Sequence, residues 1–470
     1  MDNDSISDGR DFSVFSPMIP TLPVHLERLA GVFEQSGKDF YIVGGALRDQ
    51  LLGRTHHEWD VATNAKPDEI IKLLQKGGCQ KINLVGKRFG TIAGEFHNEP
   101  IEITTYRTEQ YQEDSRKPAV LFGDNLSDDL SRRDFTINAL AYSPTEKKLI
   151  DSHDGQQDLQ LKQIRSVGNA VERFHEDPLR MLRAIRLATQ LGFSIERKTF
   201  LAIIGEKDRF GVLSAERVRQ EIDKILLSPT PSQGIELLKE SGLIAYILPE
   251  LLPSIDIEFD PREHKDIYHH IIQVLDNTPP QLALRWCALL HDIAKPITRK
   301  KIGGEYHFLG HEIVGARMAK DVLGRLKYST DFTKYVTKLV RLHQRIPNDD
   351  GQWTDGAVRR FVRDAGECLE DLFTFAEADS TGKNERKLEQ YRQKRQELKS
   401  RIAELEKLAE IAKIKSPLSG EELMELFHRP AGPWIKPVKE ELLRQVIEGD
   451  LKQDDKKKAA EIARRLVKKV

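Results

Sequence analysis

The chain has 470 residues, with 73 Lys plus Arg against 74 Asp plus Glu, for a formal net charge of −1. That length implies about three domains rather than one small core. A hydrophobic fraction of 39% with 31% charged residues excludes a membrane protein and a mostly disordered one, and leaves nucleic-acid binding to local basic patches. The three cysteines, Cys79, Cys287 and Cys368, are odd in number and far apart, so neither a disulfide framework nor a CxxC zinc site is expected and a reducing, cytoplasmic setting follows. No apolar run of ~18 residues is present to span a bilayer, so no membrane partner is expected.

Residues 1–24 read as a polar, disordered leader without signal-peptide character. HLERLAGVFEQSG then has helical period and stops at Gly37. FYIVGG is a short strand running into glycines, ALRDQLLG a helix, WDVAT a strand, and KPDEIIKLLQKGG a helix with Pro67 near its start. INLVG, GTIAGEF and IEITTYR read as further strands. Tyr106–Leu130 is polar and aperiodic, which predicts a mobile loop. After Asp177 strand signals nearly vanish and PLRMLRAIRLATQLG, ERVRQEIDKILLS and PSQGIELLKESGLI are helical in period. A break rich in proline and acid precedes a second helical block from Asp266, and the charged stretch Asn384–Lys415 predicts a solvated helix or helical hairpin. From Lys452 to the end, eight Lys/Arg against three Asp/Glu make a basic tail of about +5. The expected fold class is α+β, a mixed-sheet head followed by all-α regions. Its domains are the leader 1–24, head 25–168, helical neck 169–255, second helical domain 256–385 and tail 386–470.

Two groups of residues carry chemistry. Gly44-Gly45, at a strand end and a helix start, lets backbone N–H groups approach a phosphate. Glu58 and Asp60 alternate onto one face of the next strand, and Glu102 lies on a probable neighbour strand; carboxylates set side by side need a cation between them, and oxygen ligands suit Mg²⁺. Arg132 and Arg133 would diverge on an extended segment, one gripping phosphate, while Asp134 and Asn138 hold the loop and a sugar. Asp177, Arg180, Arg183 and Arg186 form a drifting stripe along one helix. An Asp177/Arg180 edge would accept cytosine and adenine, which place an amino donor beside a ring-nitrogen acceptor, and reject guanine and uracil. The second group is His270, the adjacent His291-Asp292, His311, His343 and Asp379, each on a helical pattern, a His and carboxylate mixture that suits a transition metal.

The motifs VGGALRD…LLGRTHHEWDVAT, DLSRRDFTINALAY, DSHDGQQDLQLKQIRSVG, EDPLRMLRAIRLATQLGF and SAERVRQEIDKIL, in that order, resemble the tRNA nucleotidyltransferase/poly(A) polymerase family, its bacterial class II branch, of the polymerase-β-like superfamily. The resemblance covers roughly residues 35–255 and departs at Glu58, where the family usually has Asp. It implies Mg²⁺-dependent addition of CCA to tRNA from CTP and ATP. Glu58, Asp60 and Glu102 would be catalytic, with Glu58 and Asp60 as metal ligands. Gly44, Gly45, Arg48, Arg132, Asp177, Arg180, Arg183 and Arg186 would bind nucleotide. The histidine-rich block resembles the HD phosphohydrolase superfamily, which would place Lys295 near a phosphate. A CC-only or A-only enzyme, a poly(A) polymerase, and an RNA-binding protein with an inactive head and a regulatory HD phosphohydrolase are the alternatives.

Overall fold

A computed structural model describes residues 20–55, 58–110, 119–255, 266–346, 353–381, 385–407 and 415–467. Most of the predicted leader, the middle of the predicted loop and residues 256–265 of the acidic break lie outside that set. The chain forms two units: one runs to Glu221 and includes Glu236–Tyr246, the other comprises Ile222–Ile235 and Ile247–Val470.

In the first unit, helix α1 (Val24–Glu34) buries Leu26, Leu29, Ala30 and Phe33, the i, i+3, i+4, i+7 face that its period predicts. Strand β1 (Tyr41–Val43) gives way at Gly44 to α2 (Gly44–Leu51), so both glycines already belong to the helix. Strand β2 (Trp59–Thr63) and α3 (Pro67–Lys76) match their predicted limits; Pro67 opens α3, and Glu69 accepts the Lys66 N–H at 2.8 Å. Then follow β3 (Lys81–Asn83), β4 (Thr91–Phe96) and β5 (Glu99–Thr105). The predicted INLVG strand ends early, because Leu84 and Val85 find no core and stay exposed.

The stretch expected to be an unstructured loop carries more structure than its composition announces. β6 (Arg107–Gln110) and β7 (Ala119–Phe122) pair antiparallel, and α4 (Leu126–Ser131) follows, capped by Asn125. β8 (Leu140–Ser143) and β9 (Lys148–Asp151) complete a seven-stranded sheet of order β3-β4-β5-β2-β1-β8-β9. Only β2 and β5 in it run parallel. Helices α5 (Gly155–Gln160), α6 (Ala170–Glu176) and α7 (Leu179–Leu191) follow, and α7 buries Met181, Leu182, Ile185 and Ala188.

The second unit is mostly helical, as expected, with one correction: Lys300–Ile302 and Glu305–His307 form a small hairpin. Its helices Ile267–Asn277, Leu282–Leu290, His311–Arg325, Thr330–Leu342 and Leu369–Ala378 surround a core in which Trp286 is fully buried and donates to Tyr328 Oη at 2.8 Å. Within the charged stretch Glu385–Lys407 is helical and its Arg395, Leu398, Ile402 and Leu405 are buried, so one face packs rather than being solvated throughout; residues 384 and 408–414 lie outside the described set. A separate small core joins Leu418, Leu423, Trp434, Val438, Leu442 and Leu451 to Ala459 and Ala463. Among the described residues no helix is long and apolar enough to cross a membrane.

A Cβ at Gly155 would lie 2.3 Å from the Thr136 carbonyl oxygen, whereas one at Gly205, in a helix, would meet nothing within 4 Å. Gly155→Ala is therefore expected to destabilise the first unit by about 2 kcal/mol through overpacking, and Gly205→Ala to stabilise it by about 0.5 kcal/mol; denaturant unfolding of the two variants measures both.

Candidate active site

The parallel pairing of β2 with β5 sets Asp60 directly opposite Glu102. Glu58 stands one residue before β2, exposed, and alternation puts it on the face of Asp60. Asp60 is seated by the start of α2: its carboxylate accepts the Ala46 N–H. A Cβ on Gly44, whose φ is +69°, would lie 3.1 Å from Asp60 Oδ2. The glycine pair thus makes room first for a carboxylate, not for the phosphate expected from the turn alone. Burial pushes the Asp60 carboxyl up to about 6, with Glu58 and Glu102 adding repulsion and Arg133 opposing it. Glu102 is raised as well, by burial and then by Glu58. Asp60 and Glu102 line a cleft of about 390 Å³ together with Gly44, Gly45, Arg107, Arg132, Arg133, Asp134, Asn138, Asp177, Arg180 and Arg183, whereas Glu58 is not part of its lining.

The opposite wall is basic and held rigid by buried acids. Arg132 and Arg133 do not diverge. Arg132 has helical φ and ψ at the end of α4, so both arginines fall on the side of Asp129, at i+3 and i+4. Arg132 Nη2 lies 2.6 Å from Asp129 Oδ1 and Arg133 Nη2 2.9 Å from its Oδ2. Burial of Asp129, 1% exposed, would raise its pKa, but the two guanidinium groups outweigh it and hold the carboxyl below the usual range. Arg183 Nε donates to Asp134 Oδ2 at 2.8 Å, and Asp134 also accepts from Asn138 Nδ2 at 3.1 Å. Asn138 Oδ1 in turn accepts from Arg48 Nη1 at 2.8 Å, while the rest of that guanidinium pairs with Asp49. Arg48 thus reaches the cleft through Asn138 and is not part of its lining.

The stripe predicted from Asp177 onward is only partly on one helix. Asp177 is extended and precedes α7; its Oδ1 accepts the Leu179 N–H at 3.1 Å, which favours the helix start as its charge suggested. Its Oδ2 takes Arg217 Nη2 at 3.0 Å. Arg180, buried, donates to Glu176 Oε2 at 2.9 Å and to the Arg132 carbonyl at 3.1 Å. Arg186 is corrected: about two turns along α7 it has rotated out of the cleft lining and pairs with Glu221 at 2.5 Å. Sequence reasoning passed over Arg107, Glu176 and Arg217. Only Glu176 had a signal, its i−4 spacing to Arg180.

In the second unit the six predicted residues do come together. His270 lies on one helix, while His291, Asp292, His311, His343 and Asp379 sit at helix starts and ends. Asp292, 1% exposed, is the hub. Its Oδ2 faces His291 Nε2 at 3.2 Å, His270 Nε2 at 3.6 Å and Lys295 Nζ at 2.6 Å; its Oδ1 faces His311 Nε2 at 3.3 Å and His343 Nε2 at 3.8 Å. His270 Nε2 also lies 2.9 Å from Asp379 Oδ1. His291, His311 and His343 each direct Nδ1 at a backbone carbonyl three residues earlier, at 2.9, 2.7 and 2.6 Å. A carbonyl only accepts, so Nδ1 carries a proton in each of these three rings, and Nε2 is the atom turned toward Asp292. Burial, with His291 beside it, lowers His343 to about 4. Asp292 is held well below the usual range: burial raises it, but His291 and Lys295 outweigh that. The Lys295 ammonium expected near a phosphate is bound to Asp292.

Residues 40–165 match the family described as "Poly A polymerase head domain", 192–255 that described as "Probable RNA and SrmB- binding site of polymerase A", and 249–413 the "HD domain". The chain is 34% identical over 419 residues to the CCA-adding enzyme of Geobacillus sp. strain WCH70, covering 89% of this chain and 91% of that one. To the CCA-adding enzyme of Geobacillus thermodenitrificans it is 30% identical over 424 residues, with the same coverage of 89% and 91%. In fold it is similar to the crystal structure of the Bacillus stearothermophilus CCA-adding enzyme in complex with CTP, with a TM-score of 0.66 and 24% identity over 96% of this chain and 99% of that one.

Asp129→Asn removes the charge that holds two arginines at once. It is expected to cost about 2 kcal/mol, under the ~3–5 kcal/mol of a fully buried pair because both guanidinium groups reach water. Lys81→Ala, at the exposed pair with Glu95, should cost less than ~0.5 kcal/mol. Denaturant unfolding compares the two.

Proposed function

From the premise that the chain belongs to the family of CCA-adding enzymes, and is a tRNA nucleotidyltransferase, we propose that its head carries out Mg²⁺-dependent nucleotidyl transfer from CTP and ATP to a tRNA 3′ end. The observation that carries the reading is the pairing of Asp60 with Glu102, beside Glu58, across one cleft from Arg132, Arg133 and Arg183. The donor set fits a hard divalent cation: oxygen ligands only, on neighbouring strands, with the mutual repulsion that raises Asp60. Such a cation, held by Glu58 and Asp60, would supply charge neutralisation at the triphosphate.

The protein's own groups do the rest. The arginine wall, pinned by Asp129 and Asp134, receives the triphosphate and stabilises the departing pyrophosphate. The RNA 3′-oxygen forms its bond to the α-phosphorus as the bond to the β-phosphate oxygen breaks, and Glu102 stands beside Asp60 to take the hydroxyl proton. Asp177 and Arg180 offer the acceptor and donor edge that suits cytosine and adenine. Glu176 and Arg217 orient that edge, since each holds one member of it. Arg48 acts through Asn138. This assignment uses the head (25–168) and the neck (169–255), with the helical regions 256–385 and 386–470 serving other ends.

For the region 256–385 we infer a metal-dependent phosphohydrolase centre. Asp292 Oδ1 and His311 Nε2 are both buried, 3.3 Å apart and without a hydrogen-bond partner. That arrangement is unfavourable unless a cation lies between, and imidazole with carboxylate suits a transition metal. The metal would activate a water; Lys295, released from Asp292, would meet the phosphate.

Incubation with labelled CTP alone, ATP alone and both together, on tRNA ending at the discriminator base, tests the head. Two C from CTP alone, no addition from ATP alone and CCA from the mixture are expected, and addition of A alone or a long A tract would sink the reading. Asp60→Ala should abolish addition while tRNA binding stays within about twofold, and Glu58→Asp should hold or raise turnover. In the second unit, His291→Ala with Asp292→Ala is expected to remove copurifying transition metal and phosphatase activity, with CCA addition kept; metal analysis and a phosphatase assay read it.

A further inference from the structure

Among the described residues that line the cleft none is aromatic. Beside it lie two aromatic rings that the fold leaves open, Phe89 at 46% and Phe122 at 39% exposed. They flank Gly90, whose φ is +83° and whose added Cβ would sit 2.6 Å from Phe122 Cε1, so the Phe122 ring lies directly on the Gly90 backbone. Gly90 is tied to the sheet by the Thr105 N–H, which donates to its carbonyl at 2.9 Å. Phe122 pairs across the β6–β7 ladder with Arg107, and Arg107 lines the cleft beside Glu102 and donates to Thr91 Oγ1 at 2.6 Å. Phe122 is therefore one cross-strand step from a residue of the cleft lining, Arg107. The rings are also in basic surroundings. The Arg88 guanidinium lies 4.5 Å from the centre of the Phe89 ring, and Lys87 makes only an exposed pair with Asp68, at 2.7 Å, which a phosphate can displace.

We propose that Phe89 and Phe122 are a stacking platform for the unpaired bases at the RNA 3′ end, with Lys87 and Arg88 holding the adjoining phosphates. Exposed aromatics beside cations bind single strands without regard to sequence, because every base has a π-face. That tolerance is what a primer site needs when its terminal base changes with each addition. The proposal rests on the nucleotidyl-transfer reading of the head.

The test uses the full chain and a tRNA lacking CCA that carries 2-aminopurine as its last base. Binding to the wild type should quench the fluorophore. Phe89→Leu with Phe122→Leu should abolish quenching and raise KM for tRNA about tenfold, with KM for CTP and Tm unchanged; the double Tyr variant should behave as wild type. Arg88→Gln, at an exposed side chain, should weaken RNA binding and reduce its salt dependence even if the double Leu variant folds poorly. Undiminished quenching and KM for tRNA in a folded double Leu variant would overturn the platform and make the rings only a packing contact of the hairpin. A wild type that quenches the fluorophore but transfers no nucleotide would instead sink the reading of the head and leave the platform standing.

Discussion

Carboxylates held side by side repel, and much of the head exists to keep them there. The parallel β2–β5 ladder, single in an otherwise antiparallel sheet, fixes Asp60 against Glu102. The start of α2 donates to Asp60, and Gly44 leaves room for it. Across the cleft two more acids, Asp129 and Asp134, are buried for the opposite purpose, to hold arginines still. Acids thus stand on both sides. Those facing arginine sit below the usual carboxylate range once burial has been outweighed, and those facing one another sit above it. In the function proposed above, that contrast separates the acids that hold the arginines from the acids that would hold a cation.

The second unit solves a related problem with other donors. Where the head gathers oxygens at the mouth of an open cleft, the HD centre gathers imidazoles around one buried aspartate. Three of the rings are orientated from behind by a backbone carbonyl three residues back along the chain, and His270 by Thr381 Oγ1. Hard oxygen ligands on strands and borderline nitrogen ligands at helix ends ask for different metals. The two donor sets of this chain therefore differ in the ions that would suit them.

Much of this was legible in the residues. WDVAT and PDEIIKLLQK carry unmixed periods, so β2 and α3 match their predictions, and the alternation that pairs Glu58 with Asp60 needs only the pleat of a strand. The histidines were legible as a set because a His-Asp pair on an apolar helix end has few uses. Other features depend on tertiary geometry that no period encodes. β6 is the polar run RTEQ, whose strand form comes from pairing, and β7 is AVLF, an apolar run of four residues too short to show a period between polar flanks. Arg132 and Arg133 were read as extended, and the helical turn at Arg132 reverses the conclusion. Arg186 left the cleft because successive i+3 steps drift around a helix of 3.6 residues per turn. Arg217 reaches Asp177 from another helix 40 residues away, a meeting only the fold creates.

Asp129 answers to two side chains at once, one on each carboxylate oxygen. A change at either arginine alone leaves the acid half engaged and the other arm still anchored. A change at the acid sets both arms loose together. In a lineage that drifts, the acid is then the least replaceable member of the trio, and the arginines can be exchanged one at a time only while it stays. Descent should record this as an asymmetric coupling: substitutions scattered at 132 and 133, and position 129 moving only when both neighbours have moved with it.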